Sequence, residues 1–309
     1  SSVLVFIFTI LFYSSYLFFP RETIELSINT SNEDNPSANY SMSYSSDKAM
    51  QFYPNMRFPS LPITYTIDSG CSQEYGLRMK SAFDKIESLT SLRFLEKSSD
   101  VGIYVQCNED TTPAPRGRTF IAGEGGPIKI INTSLYSVIL QSKILLIRSK
   151  VCSEPFVEIH ELLHALGFDH SDDKRNIMYY LITEDCSQII SQDIIDEINR
   201  LYSQEPLPEL QFGNVNATKH GPYLDFTAEI RNHGLIDSGN TTLGIYTDNK
   251  KIKGFEIGAI ELGAGRILFI TSLRIGGADS IKMTIDDKNT IRELNENNNE
   301  ISLTPSPLT

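Results

Sequence analysis

The stretch HELLHALGFDH, residues 160 to 170, decides the fold of this chain, and Met178 follows it eight residues later. His160 and His164 are four residues apart, so on a helix their side chains lie one above the other on the same face. Two imidazoles in this arrangement can bind one metal ion. Glu161 stands beside the first histidine, at the general-base position of the H-E-x-x-H pattern, where we expect it to hydrogen-bond a water molecule on the metal.

The end of this helix predicts a third ligand. Gly167 lies where the helix should stop, because glycine enters the left-handed cap conformation without a steric penalty from Cβ. The reversal of the chain then brings His170 towards His160 and His164. Three neutral histidines with one open position are typical of a catalytic zinc site, whereas a structural zinc has four protein ligands. A core helix with surface histidines is the alternative, but three of the chain's five histidines fall in this stretch.

Composition limits the class of protein. A chain of 309 residues is long enough for two domains, each with its own core. A net charge of -12 gives no basic field for phosphates, which argues against a nucleic-acid partner. The even set of cysteines contains no C-x-x-C pair and predicts two disulfides formed in an oxidising compartment. These cysteines are Cys71, Cys107, Cys152 and Cys186.

The N-terminal part of the chain predicts a membrane attachment. Residues 1–20 are mostly apolar and nearly long enough to span a bilayer, so we predict a transmembrane anchor, with a cleaved signal segment as the alternative. Residues 21–56 are rich in Ser, Asn and Thr and predict a disordered tether, with a pro-segment as the alternative. The protein is therefore expected at the cell membrane with its catalytic part outside, or secreted if residues 1–20 are removed.

The segment 57–204 reads as an α+β domain. Residues 63–68 alternate as a strand, residues 73–92 have apolar positions at helical intervals, and residues 101–106 form a second strand. This order predicts a crossover connection and two parallel neighbouring strands. Residues 118–132 predict two strands joined by a glycine turn, which would supply a sheet edge. Residues 135–148 are apolar and fit either a helix or a strand.

The predicted sheet also pairs the cysteines. Cys71 and Cys107 each follow one of the two parallel strands, whose C-terminal ends lie side by side, so we predict a disulfide between them. Cys152 is left to pair with Cys186. The zinc helix is predicted to open at Pro155, which tolerates its missing N–H in the first turn. Residues 191–202 predict a closing amphipathic helix with Ser191 as its N-cap.

A different periodicity begins after the linker at residues 205–211. Leu224, Phe226, Ala228 and Ile230 alternate with polar residues, and further short strands separated by Gly and Asn turns follow. This pattern predicts an all-β sandwich over residues 212–303, with a tail at 304–309. An acidic cluster near its end is predicted to be a solvated turn, with a calcium site as the less supported alternative. It contains Asp286, Asp287, Asn289 and Glu293.

The motifs HELLHALGFDHS, NIMYY and SQDIIDEINRLY together resemble the matrixin branch of the metzincins. The resemblance implies a metzincin-type α+β catalytic domain, with a mixed twisted sheet and long helices, that binds one catalytic Zn²⁺. It implies His160, His164 and His170 as the zinc ligands, Glu161 as the general base, and Met178 as the residue beneath the site.

The chain departs from the matrixin pattern in three places. No histidine precedes His160, so the second, structural zinc of the animal enzymes has no matching ligands. No Pro-Arg-Cys-Gly segment occurs upstream of the zinc motif, so the cysteine-switch latency of the family is not supported. Ile194 stands where those enzymes have the second of two consecutive aspartates, so the resemblance does not extend to an activation that buries a new amino terminus at this position. Tyr180 is interpreted as a wall of the substrate pocket, with a fifth zinc ligand as the alternative.

Residues 212–301 resemble the CARDB module, an immunoglobulin-like domain of microbial surface proteins, in EIRNHGLIDSG and IDDKNTIRELNENNNE. The predicted molecule is thus a zinc endopeptidase domain followed by an immunoglobulin-like β-sandwich, behind an N-terminal transmembrane helix. Its expected partners are protein or peptide substrates, the membrane, and a cell-surface ligand of the β-sandwich. The alternative function is an adhesion protein that acts through this sandwich and keeps a relic metal site.

Overall fold

The computed structural model describes residues 23–29, 51–109, 121–148, 152–183, 186–278 and 280–305. Within these ranges no helix is long and apolar enough to cross a membrane. The predicted membrane segment at residues 1–20 lies outside them. The described chain folds around two sheets, a six-stranded one in its first half and an eight-stranded one that is built mainly by its second half.

The six-stranded sheet is mixed. Strand β6 pairs with β7 in antiparallel orientation, while the neighbours in the order β2-β7-β5-β3-β4 are all parallel. The parallel pairing of β3 and β5 confirms the prediction from the strand-helix-strand order. The strands are β2 (Met56–Arg57), β3 (Ile63–Ile67), β4 (Phe94–Glu96), β5 (Ile103–Cys107), β6 (Gly123–Asn132) and β7 (Ser137–Leu146); β1 belongs to the other sheet.

Among the described residues, three helices accompany this sheet: α1 (Gln73–Leu89), α2 (Phe156–Ala165) and α3 (Gln192–Ser203). Their apolar faces enter one core together with the inner side of the sheet. An ion pair joins α1 to α2, because Arg78 Nε lies 2.8 Å from Oε1 of the fully buried Glu158. Ser191 is the N-cap residue of α3, as predicted, although its side chain makes no capping hydrogen bond.

One prediction in this domain is wrong. The expected glycine turn within residues 118–132 does not form in the described part, because the glycines at 123, 125 and 126 continue a single ten-residue strand, β6. Its neighbour β7 resolves the ambiguity of residues 135–148 in favour of a strand. The expected sheet edge is present, since β6 pairs only with β7 among the described strands.

The segment predicted as a disordered tether, residues 21–56, also differs from the prediction. It contains β1 (Thr23–Asn29), and its end forms the start of β2. Gln51 is buried, and its amide side chain bonds the backbone N–H and C=O of Met56 at 3.0 and 2.7 Å. The polar composition of the segment concealed these short structured stretches.

The eight-stranded sheet has the order β11-β10-β13-β14-β1-β8-β9-β12, with antiparallel neighbours throughout. The predicted alternation is confirmed, because Leu224, Phe226, Ala228 and Ile230 are all buried. The later strands are β8 (Leu210–His220), β9 (Tyr223–Asn232), β10 (Thr241–Thr247), β11 (Lys250–Gly258), β12 (Gly265–Arg274), β13 (Ile281–Ile285) and β14 (Glu300–Pro305).

The strands of this sheet enclose one core in the manner of the expected β-sandwich. Residues from β9, on one side of β1, and from β10 and β13, on its other side, belong to the same buried cluster. The predicted linker and tail are partly strand, since β8 begins at Leu210 and β14 extends to Pro305. The acidic cluster is dispersed: Asp286 accepts a bond from Ile291 N, whereas Asp287 pairs with Lys251.

The two parts of the chain pack against each other. Tyr136 and Val138, at the start of β7, form a buried cluster with Leu235 of the second part. Thr133, in the β6–β7 turn, donates a hydrogen bond through Oγ1 to the carbonyl oxygen of His233, over 3.0 Å. Strand β6 therefore runs from the domain contact at one end to helix α2 at the other.

Candidate metal centre

Helix α2 and the turn that follows it position the histidines. The helix starts at Phe156, directly after Pro155. It ends at Ala165, and the predicted glycine follows two residues later: Gly167 has φ +98° and donates its N–H to the carbonyl oxygen of His164. A Cβ at this position would lie 2.7 Å from Sδ of Met56, so both the backbone conformation and the space require glycine.

The three predicted ligands meet at one point. Nε2 of His164 lies 3.0 Å from Nε2 of His160 and 3.1 Å from Nε2 of His170. His160 and His164 are buried, whereas His170 is exposed. Among the described residues, this is the one group of at least three His, Cys, Asp or Glu side chains whose ligand atoms could hold a metal ion together.

The hydrogen bonds of the rings show that a metal ion fits between them. Nδ1 of His160 lies 2.7 Å from the carbonyl oxygen of Ile177, and Nδ1 of His164 lies 2.7 Å from that of Phe168. A carbonyl only accepts, so each Nδ1 carries the hydrogen and each Nε2 of the neutral ring has a free lone pair. The short contact between these two Nε2 atoms is then not a hydrogen bond, and a cation between them removes the repulsion.

The electrostatic environment keeps these rings neutral. Burial, followed by the neighbouring His164, lowers the pKa of His160 from 6.5 to about 4. Burial also lowers the pKa of His164, ahead of the influence of His170. Neutral imidazoles are the form that binds zinc, so at neutral pH the site spends no free energy on removing protons from these two ligands.

Glu161 follows His160 in helix α2, and its side chain lies against strand β6. Its side chain is 5% exposed. Burial is the main reason that its pKa rises from 4.5 to about 8, and the charges of Glu124 and Glu158 raise it further. The strand approaches very closely here, because a Cβ at Gly123 would lie 2.8 Å from Oε1 of Glu161. The carboxyl group thus faces the backbone of the edge strand.

The turn around Met178 is hydrogen-bonded to the segment after His170 and to the ring of His160. Met178 is 1% exposed, and its carbonyl oxygen accepts a 2.8 Å hydrogen bond from the backbone N–H of Ser171. Its own N–H donates to Oδ1 of Asn176 over 2.9 Å. Because the carbonyl oxygen of Ile177 is the acceptor for Nδ1 of His160, this turn fixes the orientation of the His160 ring.

Phe52 is a site residue that the sequence did not reveal. Its ring stacks on that of His164, with centroids 5.8 Å apart and planes at 22°, and its backbone N–H donates to the carbonyl oxygen of Gly167. Tyr53, beside it, is about half exposed. The two adjacent aromatic residues, Phe52 and Tyr53, were a signal for such a contact, because disordered polar segments contain few aromatic residues.

The remaining predicted residues have clear positions. Tyr180 is 60% exposed and packs on Tyr179, with ring centroids 4.5 Å apart. Both disulfide pairings are confirmed, Cys71 with Cys107 and Cys152 with Cys186. The second bridge joins the chain just before α2 to the chain after the Met178 turn, so it fixes the site from both sides. Ile194 is buried in the apolar core, where the charged carboxylate of an aspartate would lose its contact with water.

Family models assign the two halves. The model described as Matrixin matches residues 60–203, and the model described as CARDB matches residues 208–303. A search of the curated proteins finds no significant match.

Several solved structures are similar to parts of the chain. A CARDB domain from Pyrococcus furiosus, in complex with di-metal ions, is 19% identical and covers 32% of this chain and 88% of its own, with a TM-score of 0.27. A domain of a putative cell surface protein from Methanosarcina acetivorans is 21% identical and covers 33% and 95%, with a TM-score of 0.28. High choriolytic enzyme 1, a hatching enzyme zinc-protease from Oryzias latipes, is 18% identical and covers 52% and 98%, with a TM-score of 0.32.

Proposed function

We propose that this chain, in which the matrixin model matches residues 60–203 and the CARDB model matches residues 208–303, is a zinc-dependent endopeptidase that acts outside the cytosol. The observation that carries the proposal is the convergence of the Nε2 atoms of His160, His164 and His170 next to the buried carboxyl group of Glu161. The two disulfides support an oxidising compartment.

The three histidines would hold the zinc ion through their Nε2 atoms. When bound, zinc supplies Lewis-acid polarisation of a peptide carbonyl and lowers the pKa of water towards neutrality. The backbone acceptors of Ile177 and Phe168 orient His160 and His164, so the lone pairs point to the same place before a metal arrives.

Glu161 is proposed as the general base. It takes a proton from the attacking water and returns it to the leaving amine, so a single carboxyl group serves both halves of the reaction. Its raised pKa, about 8, comes mainly from burial among protein groups; a cation bound beside it would favour the ionised form, which is the form that accepts the proton. The closeness of β6 leaves this carboxyl group little freedom to turn away from the metal.

We propose that the substrate lies in an extended conformation along β6. The side of β6 away from β7 has no partner strand among the described residues, so its backbone groups are available to a peptide. Tyr180 is proposed as a wall of the substrate pocket, because its ring is exposed and supported by Tyr179. A peptide bond held beside Glu161 and the three histidines is then in place for hydrolysis.

The adhesion function remains the second candidate. One observation favours it: Ile267 and Phe269 are 70% and 74% exposed on β12, the edge strand of the C-terminal sheet. Exposed apolar side chains of this size are typical of contact surfaces. A cell-surface ligand bound there is compatible with peptidase activity, and the two functions differ in whether the metal site is active.

The substitution Glu161→Gln tests the proposal. We expect peptide hydrolysis to fall at least about a hundredfold, since acid–base catalysis is lost. The zinc content should remain that of the wild type, because the three ligands are unchanged. The matched control is Glu96→Gln, which alters an exposed ion pair with Lys80. Hydrolysis by Glu161→Gln within a few-fold of the control would contradict the proposal, and wild-type protein that binds zinc without cleaving any peptide would favour adhesion.

A further inference from the structure

Strand β1 comes from the N-terminal part of the chain, yet it completes the C-terminal sheet. Its first half pairs with β8, from Thr23 opposite His220 to Leu26 opposite Ala217. Its second half pairs with β14, where Asn29 lies opposite Ser302. This seven-residue strand thus lies between β14 and β8 in the sheet.

The two neighbours of β1 both belong to the CARDB domain. The family match begins at residue 208 and ends at residue 303, so β8 and most of β14 fall inside it while β1 does not. Without β1, the edges of β8 and β14 that now bond it would present unpaired backbone groups. The C-terminal domain therefore contains a slot for one extended strand.

Side-chain burial adds specificity to this backbone pairing. Leu26 is 9% exposed and belongs to the apolar core of the C-terminal domain. Ile28, two residues further on, is 40% exposed. One leucine of β1 thus enters the core, as alternate side chains do when a peptide adds to a sheet edge.

None of these contacts requires β1 to be joined to the rest of the chain, because backbone hydrogen bonds and a buried leucine hold a separate peptide in the same way. We propose that the slot between β8 and β14 is an acceptor site for an extended peptide, and that residues 23–29 remain in it after the chain is cut between Asn29 and Gln51. A cut there would leave the peptidase attached to its N-terminal piece. This inference does not depend on the metal site.

The test uses the full 309-residue chain, in mild detergent because residues 1–20 are apolar, with the recognition sequence of a site-specific protease inserted between residues 40 and 41. After cleavage, size-exclusion chromatography at micromolar concentration should recover the N-terminal piece together with the rest of the protein. An excess of the synthetic peptide RETIELSINTS, residues 21–31, should displace it. The same peptide with aspartate at the Leu26 position should not.

Two variants of the cleavable chain complete the test. Leu26→Asp should reduce the retained fraction at least about tenfold, because it places a charge in an apolar core. Ile28→Asp, in the same strand but exposed, should retain the piece almost as the wild type does. Unchanged disulfides and an unchanged circular-dichroism spectrum before the cut would verify that each variant is folded. Separation of the wild-type piece on cleavage would overturn the proposal, as would retention that neither Leu26→Asp nor the peptide reduces.

Discussion

At the scale of single residues, the site depends on glycines as much as on its histidines. A Cβ at Gly125 would lie 2.3 Å from the carbonyl oxygen of Glu161, which is far closer than two such atoms can approach. The edge strand β6 and helix α2 therefore touch backbone to backbone at Glu161. Gly126, the next residue, has open space around its Cβ position.

This contrast gives a prediction with an internal control. Gly125→Ala should push β6 away from α2, with a cost of about 1–3 kcal/mol as for other overpacked positions. Because the strand then no longer confines Glu161, we expect kcat/KM for a short peptide to fall at least about tenfold. Gly126→Ala should change stability and activity little. Equal activity of the two variants, measured with matched zinc content, would show that the close approach does not matter.

The sequence revealed those parts of the site that lie near each other in the chain. The spacing of His160 and His164 predicts one helix face, and Gly167 predicts the reversal that brings His170 to them. The structure has this arrangement. Phe52 could not be predicted as a neighbour of His164, because their contact joins segments that no local pattern relates. The role of the glycines of β6 could not be predicted either. A glycine-rich segment is typical of a turn, and only the position of helix α2 shows that these glycines allow its close approach.

At the scale of elements, regular periodicity was the dependable signal and polar composition was the misleading one. The helices α1 and α3 follow the predicted helical spacing of apolar residues, and strand β9 follows the predicted alternation. The strand β1 was missed, because a short apolar alternation within a polar segment does not decide whether a partner sheet exists. Pairing is a tertiary property, and the partners of β1 lie in the other half of the chain.

The joint between β8 and the loop before β14 contains two buried carboxyl groups. Oε2 of Glu293 accepts a 2.5 Å bond from the N–H of Leu210, and Oε1 accepts one of 2.8 Å from Asn299. Burial is the largest cause of the rise of the Glu293 pKa from 4.5 to about 8, and nearby Glu209 and Glu296 add to it. Burial likewise raises the pKa of Glu209 to about 7.

This arrangement predicts the pH dependence of stability. Between about pH 4.5 and 8, Glu293 keeps its proton in the folded chain and loses it in the unfolded chain, so the free energy of unfolding falls as the pH rises. Its share of the slope is at most about 1.4 kcal/mol per pH unit. Urea titrations should show that Glu293→Gln flattens the slope in this window, with Glu209 maintaining part of it. A slope equal to that of the wild type would contradict the assignment.

At the scale of the whole molecule, the contact between the domains is apolar and lies at the far end of β6. Leu235 is fully buried there, against Tyr136 and Val138. The change of periodicity after residues 205–211 placed a domain boundary there, and the proposed catalytic residues all lie before it. The linker alone did not show that the β6–β7 turn packs against the C-terminal domain.

Leu235→Ala should weaken this contact. Removal of a buried leucine side chain costs about 2–5 kcal/mol, so we expect thermal unfolding to separate into two transitions and proteolysis near residue 206 to become faster. Hydrolysis of a short peptide should stay within about twofold of the wild type, since the metal centre is distant along the strand. Ile267→Ala, at an exposed position, is the control. A single unchanged transition in Leu235→Ala would show that the contact does not couple the domains.

The position of β1 also determines when the molecule can finish folding. Residue 23 is made early, but its partners at residues 217–220 and 302–305 are made late. At about 5–20 residues per second, synthesis of the chain between residues 23 and 220 takes roughly 10–40 s. During this interval the matrixin domain can fold, while the slot does not yet exist and β1 is a bare strand. Residues 302–305, which are made long after β1, therefore decide whether this strand is paired on both sides. A protein interrupted near residue 300 would keep the three histidines together but lose the closure of its second sheet.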